Sequence, residues 1–256
     1  MRAIFCALII CLNLPFVATA GSRISYRGID GGASQTVLVG AGKLRIDADS
    51  ENRIIIDPAS GTMLVVHLAD RNYTRIDRPN VRKLVGQLND TLEQVEGVLS
   101  NVPEEFRSGV NEMIGNAGGR AGMKPVSLSN TGRRDSAAGH NCIVWRSESG
   151  GESVGEACVG DISAWELDAA DLATAQASIT LLGDWSRELQ RGAVSRYFKA
   201  ITFPSNQVPL RVTQIDGGQR SSSEFSGSDR IGVEPGDFAI PAGFREKPLE
   251  VPALGG

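Results

Sequence analysis

Three short apolar runs between residues 53 and 77 constrain the fold of this chain more than any other stretch. The runs are rich in β-branched residues, and two clusters of turn-forming residues, 58–61 and 69–72, separate them. Pro58 suits the second position of a β-turn and Gly61 its last position, which explains the first reversal. This pattern predicts an antiparallel meander of three strands.

The residues before this meander continue the strand pattern, so that residues 23–76 predict about six strands in all. In the clearest of them, Leu44 and Ile46 alternate with charged residues that include Arg45 and Asp47. Strict alternation is typical of a strand with one buried face and one solvent-exposed face. We therefore expect one face of the sheet to be apolar and buried and the other face to be polar and exposed to solvent.

The spacing of apolar residues changes to three and four after residue 80, which predicts an amphipathic helix over residues 81–99. Pro79 lies near its start, where a missing N–H does no harm. Residues 104–114 predict a second, shorter helix. The apolar stripe of the first helix comprises Val81, Leu84, Val85, Leu88, Leu92, Val95 and Leu99.

Residues 168–194 predict another long helical segment. Asp168 is a suitable N-cap for it, because its side chain can accept hydrogen bonds from the first free backbone N–H groups. The apolar stripe of this segment comprises Leu172, Ala175, Ile179, Leu182, Trp185 and Leu189. Two long amphipathic segments therefore have to pack on the predicted sheet.

The rest of the chain returns to strand patterns. Residues 126–129 and 208–215 predict strands, a serine-rich strand ends at Phe225, and residues 237–244 predict a closing strand. Residues 247–256 contain two prolines and end in two glycines, which favours a frayed tail.

Residues 140–159 predict a β-hairpin whose turn contains a serine and two glycines. Centring the hairpin on Gly150 places its two cysteines directly opposite each other. The same register places Trp145 opposite Gly155, where the indole ring would cover the bare backbone of the glycine.

The first twenty residues have the three parts of a secretory signal peptide. Arg2 is followed by an apolar run over residues 3–17 and by an Ala-Thr-Ala end, which predicts cleavage after Ala20. The alternative is an uncleaved membrane anchor, but the run is shorter than the roughly 20 residues that a spanning helix needs. We therefore expect a periplasmic or secreted protein with one domain over residues 21–246.

Removal of the signal peptide leaves Cys142 and Cys158, an even number in an oxidising compartment. Both lie in the predicted hairpin, so we expect them to form a structural disulfide that stabilises the fold by roughly 3 kcal/mol. A zinc site would need more ligands than these cysteines and the chain's two histidines can bring together. No metal or cofactor is predicted.

The charge of the chain argues against nucleic-acid binding. The formal net charge is −4, and without Arg2 the processed protein has 25 basic and 30 acidic side chains. There is no basic run, and no stretch after the signal peptide is apolar enough to span a bilayer. Neither nucleic acid nor a membrane span is therefore expected.

The catalytic motifs in the sequence are weak. The string Gly-Glu-Ser-Val-Gly around Ser153 matches the nucleophile elbow of α/β-hydrolases, but that elbow needs a helix directly after it and a histidine later in the chain. Here His67 and His140 both precede Ser153. Asp168 and Asp171 fit the acidic first turn of a helix without any acid–base role. We expect no enzyme.

The order of these elements resembles the LolA-like superfamily of periplasmic lipoprotein carrier and localisation proteins. The segments that carry the resemblance are residues 43–46, residues 56–64 followed by Tyr73, residues 138–142 and residues 238–244. The chain is similar, more narrowly, to an uncharacterised family of secreted bacterial domains of that shape. The resemblance implies an α+β fold, in which amphipathic helices cover the open, concave side of a strongly curved antiparallel sheet, an incomplete β-barrel.

Two functions are compatible with this expected fold. The first is a non-enzymatic structural or interaction module of the cell envelope, with another envelope protein as its partner. The second is a carrier or sensor of an apolar ligand, such as a lipid or an acyl chain, held between sheet and helices. In the second case the candidate ligand-facing residues lie at the centre of the apolar stripe of the first helix. They are Leu88, Leu92 and Val95.

Overall fold

The computed structural model describes residues 19–100, 126–190 and 203–249. Twelve strands of this part form one sheet in the order β12-β6-β5-β4-β3-β2-β1-β11-β10-β9-β8-β7. Neighbouring strands are antiparallel except β12 and β6, and the sheet is not closed into a barrel. The first six strands are β1 (Thr19–Ile29), β2 (Gln35–Gly40), β3 (Lys43–Asp47), β4 (Asn52–Asp57), β5 (Thr62–His67) and β6 (Asn72–Asp77). The other six are β7 (Val126–Ala137), β8 (His140–Ser149), β9 (Glu152–Asp161), β10 (Gln207–Asp216), β11 (Gln219–Val233) and β12 (Arg245–Lys247).

Strands β1 to β6 form a continuous meander, which confirms the predicted six strands and their turns. Between β3 and β4 the carboxylate of Asp49 accepts hydrogen bonds from the backbone N–H groups of Glu51 and Asn52, both at 2.7 Å. Gly61, in the turn before β5, has a φ of +64°, a conformation that glycine adopts without steric cost. Local turn chemistry therefore specifies this half of the sheet.

The two halves of the sheet meet at β1. This strand pairs with β2 on one side and with β11 on the other, where Tyr26 lies opposite Phe225. Its first residues, Thr19 and Ala20, pair with Val233 and Gly232. The predicted cleavage after Ala20 stays a prediction, and it would shorten β1 by two paired residues.

The disulfide hairpin has a different register from the predicted one. Cys142 pairs with Gly160 rather than with Cys158, and Trp145 pairs with Ala157 rather than with Gly155. An irregularity between Ser147 and Glu148 shifts the strands, and local turn residues do not reveal it. The two cysteines are therefore diagonal neighbours, and Trp145 does not cover Gly155.

Two helices lie beside the sheet in the described part of the chain. Helix α1 spans Arg78–Ser100, with Pro79 in its first turn, and helix α2 spans Ala169–Leu189. Asp168 caps α2 as predicted, because its carboxylate accepts hydrogen bonds from two N–H groups of the first turn. The predicted helix at residues 104–114 lies outside the described residues.

The helices pack on each other through one small cluster. Val81 and Val85 of α1 and Trp185 of α2 are buried together, with Met63 and Ile76 of the sheet beside them. Neither helix is long and apolar enough to cross a membrane.

The closing strand predicted at residues 237–244 is wrong. Pro235–Phe238 form a 3₁₀ helix, and only Arg245–Lys247 return to the sheet, parallel to β6. Glu234 and Asp237 cap the 3₁₀ helix reciprocally, each side chain bonding the other's backbone N–H. This capping box satisfies free N–H groups at the start of a helix and stops the strand.

Both faces of the central strands are apolar, which corrects the expectation of one wet face. On the α2 face, defined by Val37, Leu44 and Ile56, the side chains belong to the same buried cluster as Ala175 of α2. On the opposite face Ile55 belongs to a second buried cluster.

We call this opposite face the C-terminal face and define it by Leu38, Ile55 and Val66. Phe238 packs into its cluster and Phe244 lies against it, so residues beyond β11 shield these strands from solvent. The alternating pattern along the strands predicted that this face would be exposed to solvent. The pattern does not reveal the segment that covers it, because that segment is far away in the sequence.

Candidate functional site

A cavity of about 300 Å³ lies between α2 and the strands of the α2 face. Its apolar walls come from five strands, β1 to β4 and β10, from α2 and from the segments that flank them. The residues that line it are Tyr26, Gln35, Val37, Leu44, Ile46, Ile56, Trp165, Ser178, Ile179, Leu182, Gly183, Phe203, Gln207, Val208, Pro209 and Val212. Ligand pockets have this concave and mostly apolar character.

The sheet supplies most of the apolar wall through alternation. Val37, Leu44, Ile46 and Ile56 come from three adjacent strands, β2 to β4, and all belong to the core cluster of the α2 face or pack against it. Residues paired across strands share a face, and Leu44 lies directly opposite Ile56. The same pattern that buries the core therefore also presents a continuous aliphatic wall.

The hydroxyl groups that line the cavity are hydrogen-bonded within the protein. The Tyr26 hydroxyl donates a hydrogen bond to the backbone oxygen of Pro209 at 2.8 Å and accepts one from Trp165 Nε1 at 3.2 Å. Burial raises the pKa of Tyr26 well above its usual range, although the hydrogen bond with Trp165 works against this increase. Ser178 Oγ donates to the backbone oxygen of Thr174. These groups therefore present a largely apolar surface to the cavity.

Helix α2 forms the other side of the cavity with Ile179, Leu182 and Gly183. Leu182 was expected in the buried stripe of this helix, but 37% of it is exposed to solvent. Leu182 therefore borders both the cavity and solvent.

Aromatic residues occupy the end of the cavity that is formed by Phe203. The ring of Trp145 meets the ring of Phe203 edge-to-face, with centroids 5.3 Å apart. Trp145 Nε1 is buried and has no hydrogen-bond partner in the described part of the chain. Trp145 itself contacts Phe203 and is not among the residues that line the cavity.

The predicted ligand-facing residues lie on a different helix. Leu88, on α1, is half-buried and is not among the residues that line the cavity. The side chains of Leu92 and Val95 lie outside the described residues, so their assignment stays a prediction. The cavity uses α2 instead, and the apolar stripe that contains Ile179 and Leu182 was the signal that could have indicated it.

The disulfide between Cys142 and Cys158 is present, which confirms the predicted pairing of these residues. Their Cα atoms are 5.4 Å apart, within the usual range for a cystine. Both residues are buried in the core cluster of the α2 face. The disulfide therefore has a structural position and does not touch the cavity.

The candidate catalytic residues are not brought together. Ser153 is exposed on β9, a strand that continues to Asp161. His67 Nδ1 is hydrogen-bonded to Asn52 Oδ1 at 3.0 Å, and the ring of His140 lies 6.1 Å from that of Phe225. In residues 19–100, 126–190 and 203–249 no group of three or more potential ligands could hold a metal ion.

A second cavity of about 370 Å³ lies between the start of α1 and the end of the chain that follows β12. Arg75, Lys83, Gln87 and Glu246 give it a mixed polar lining, and Arg75 Nε is 3.6 Å from Glu246 Oε1. Its charges are largely paired with each other. This groove therefore gives less indication of a ligand than the apolar cavity does.

The comparisons with known proteins do not identify a family. No protein-family model matches the sequence, and no curated protein matches it. Among solved structures, the chain is similar to PNGF-II in its C2 crystal form, with a TM-score of 0.42 and 9% identity over 90% of this chain and 31% of that one. The P21 form gives a TM-score of 0.40 and 8% identity, over 90% and 32%. The chain spans about a third of PNGF-II, and so distant a likeness supports no inference about fold or activity.

Proposed function

We propose that this protein is a non-enzymatic carrier or sensor of an apolar ligand, and that the ligand is an acyl chain held between the sheet and α2. One observation carries this proposal: the cavity is lined mostly by aliphatic and aromatic side chains. Protein interiors are close-packed and contain few voids larger than a water molecule. Clefts of this size with mostly apolar walls are typical of ligand pockets.

The resemblance to LolA-like carriers supports the same function. In this interpretation the twelve-stranded sheet is an incomplete barrel, the helices cover its concave side, and the acyl chain lies under α2. The apolar start of the sequence would direct the protein to the periplasm, where a carrier meets lipids. The exposed edge of Leu182 would lie where the ligand enters.

The second candidate function is a structural or interaction module of the envelope. It is favoured by the burial of the cavity walls, since Ile56 is 1% and Leu44 is 4% exposed and both belong to the main core. In this case the cavity is only a packing defect. A module of this kind binds its partner elsewhere and has no use for an acyl chain.

Binding of a fluorescent fatty-acid analogue to the processed, delipidated protein separates these functions. A carrier binds the analogue saturably. Leu182→Trp fills the cavity from its exposed rim and should weaken binding roughly tenfold or more, which corresponds to about 1.4 kcal/mol or more. Its melting temperature should change little, because Leu182 is already 37% exposed.

Leu172→Trp provides a matched control on the same helix. Leu172 packs against the core but does not line the cavity. A tryptophan there should overfill a packed site at a cost of about 1–3 kcal/mol and leave the affinity for the analogue unchanged. Absence of saturable binding to the unmodified protein would support the structural module instead.

A further inference from the structure

Three arginines converge on one carboxylate on the side of the sheet formed by β8 to β11. In the strand register, Arg146 lies opposite Glu156, Glu156 opposite Thr213, and Thr213 opposite Ser222. Directly opposed residues lie on the same face of a sheet, so these four form one row across four strands. Arg220 lies two residues from Ser222 on β11 and therefore shares this face.

The arginine triad, defined here as Arg133, Arg146 and Arg220, shares Glu156. Arg133 Nη2 is 2.9 Å and Arg220 Nη2 is 3.3 Å from the same oxygen, Oε2, while Arg146 Nη2 is 3.3 Å from Oε1. Arg133 comes from the irregular part of β7, so three separate strands supply the cations. One carboxylate thus holds three guanidinium groups beside each other.

The charges of the arginine triad are not balanced. One carboxylate faces three cations, which leaves an excess of two positive charges on a chain whose formal net charge is negative. The neighbouring ion pairs on this face are balanced: Glu224 contacts Arg27 and Arg211, and Arg211 also contacts Asp135. Like charges held this close repel, and a bound anion relieves that repulsion.

The geometry leaves donors available for such an anion. Each guanidinium has five N–H donors in a planar fork, and each member of the triad makes one hydrogen bond to Glu156. The side chains of Arg133, Arg146 and Arg220 are 56%, 44% and 58% exposed, whereas that of Glu156 is 16% exposed. Glu156 therefore orients the guanidinium groups from below while their outer edges face solvent.

We propose that the arginine triad binds a phosphate group, either free inorganic phosphate or the phosphate of a lipid headgroup. Planar guanidinium groups match the oxygens of phosphate in paired hydrogen bonds, and several of them around one point suit a compact anion with several oxygens. Glu156 acts as a positioning residue for the guanidinium groups. The hydroxyl groups of Thr213 and Ser222 lie next to it in the same row, and a hydrogen bond of 2.9 Å joins them. This site does not depend on the apolar cavity.

Titration calorimetry of the processed protein at low ionic strength tests this site, with inorganic phosphate in one arm and vesicles in the other. The vesicles contain either phosphatidylcholine alone or phosphatidylcholine with phosphatidylglycerol. Saturable binding of phosphate indicates a site for the free anion. Binding only to the vesicles with phosphatidylglycerol indicates a lipid headgroup.

Arg220→Gln and Arg27→Gln form a matched pair of variants for either arm. Both remove one positive charge from an exposed arginine on the same face, but only Arg220 belongs to the triad. Loss of a charge-assisted hydrogen bond should weaken binding about tenfold in Arg220→Gln and leave Arg27→Gln within about twofold of the unmodified protein. Equal effects of the two variants, or no saturation by phosphate in the millimolar range and no binding to either vesicle, would overturn the proposal.

Discussion

The two faces of strands β2 to β5 are shielded from solvent in different ways. On the C-terminal face, Phe238 and Phe244 pack against Ile55, and charged groups fix the segment that carries them. Arg45 Nη1 donates to the backbone oxygen of Asp237 at 2.8 Å, and Asp47 binds both Arg45 and Arg53. On the α2 face, a helix packs on aliphatic side chains and leaves a cavity.

The difference shows how closely a short C-terminal segment and a helix can each pack on a sheet. A short segment can follow the contour of a sheet closely, and directional hydrogen bonds hold it in one position. A helix is a rigid cylinder, and it reaches an uneven sheet only where its side chains are long enough. The closely packed face therefore serves stability, whereas the face with the cavity has room for a ligand.

The largest expected effect comes from two adjacent isoleucines of β4. Ile55 and Ile56 are 2% and 1% exposed, but Ile55 faces the C-terminal side and Ile56 lines the cavity. Ile55→Ala should cost about 3–4 kcal/mol of unfolding free energy. Ile56→Ala should cost roughly 1 kcal/mol less, because part of its surface already lacks packing partners.

Urea denaturation of both isoleucine variants without ligand measures this difference. The two substitutions remove the same atoms from the same strand, so each serves as the control for the other. Equal losses would show that the cavity is filled by the protein itself, and the contrast between the two faces would then disappear.

A smaller effect concerns two carboxylates whose pKa values shift in opposite directions. Burial would raise the pKa of Asp47, but the hydrogen bonds and charges of Arg45 and Arg53 outweigh it and hold this pKa below its usual value. Burial raises the pKa of Asp171 on α2, helped by the nearby charge of Asp168 and opposed by the hydrogen bond from Ser22 and by Arg230.

The sign of the pH dependence follows from these shifts. Asp47 stabilises the folded state above its unfolded pKa, and this contribution is lost as the pH falls through its lowered folded pKa. Asp171 contributes stability only at low pH, and this contribution is lost as the pH rises through its raised folded pKa. One residue therefore favours neutral pH, and the other favours acid.

Asparagine substitutions of these two residues should therefore behave differently. At pH 7, Asp47→Asn should lose about 1–3 kcal/mol, because two arginines lose their ionised partner. Asp171→Asn should lose nothing at pH 7, because the amide oxygen can still accept the hydrogen bond from Ser22. Thermal unfolding between pH 3 and pH 7 would test this, and a loss of stability at pH 7 in Asp171→Asn would contradict the assigned sign.

The smallest effect comes from the caps of the two covering elements. Asp168→Ala removes the N-cap of α2, and Asp237→Ala removes part of the capping box on the C-terminal face. Each should cost about 1 kcal/mol. Only Asp168→Ala should change the rate at which a fatty-acid analogue enters, because only α2 borders the cavity.

Stopped-flow fluorescence with the same analogue measures the entry rate in both cap variants. An equal change in the two rates would show that the C-terminal segment also controls access. In that case the two faces would not act independently.

The sequence predicted the turns, strands and helix caps that depend on interactions between residues close together in the chain. The turn residues around Asp49 and Gly61 separate the strands of the meander, and Asp168 caps α2 wherever that helix packs. The disulfide could also be predicted, because only two cysteines remain after residue 20 and both lie in one hairpin. In each case residues close in the sequence supply both the signal and its physical cause.

The candidate site was less predictable, because it combines residues that are distant in the sequence. The central apolar stripe of α1 suggested Leu88, but the cavity lies between α2 and strands β1 to β4 and β10. Periodicity shows that a helix has an apolar face, and it does not show which strands that face contacts. The pairing of β1 with β11, about 200 residues apart, depends on the whole sheet.

The sequence by itself therefore determined the strands of the meander, the starts of both helices and the cysteine pair, because backbone preferences and local hydrogen bonds act over a few residues. Only the tertiary structure decided that Phe238 shields the face beside Ile55, that α2 leaves a cavity above Ile56, and that Arg133, Arg146 and Arg220 meet at Glu156. These arrangements depend on strand register and long-range packing. A shift of one residue in register moves every side chain to the other face.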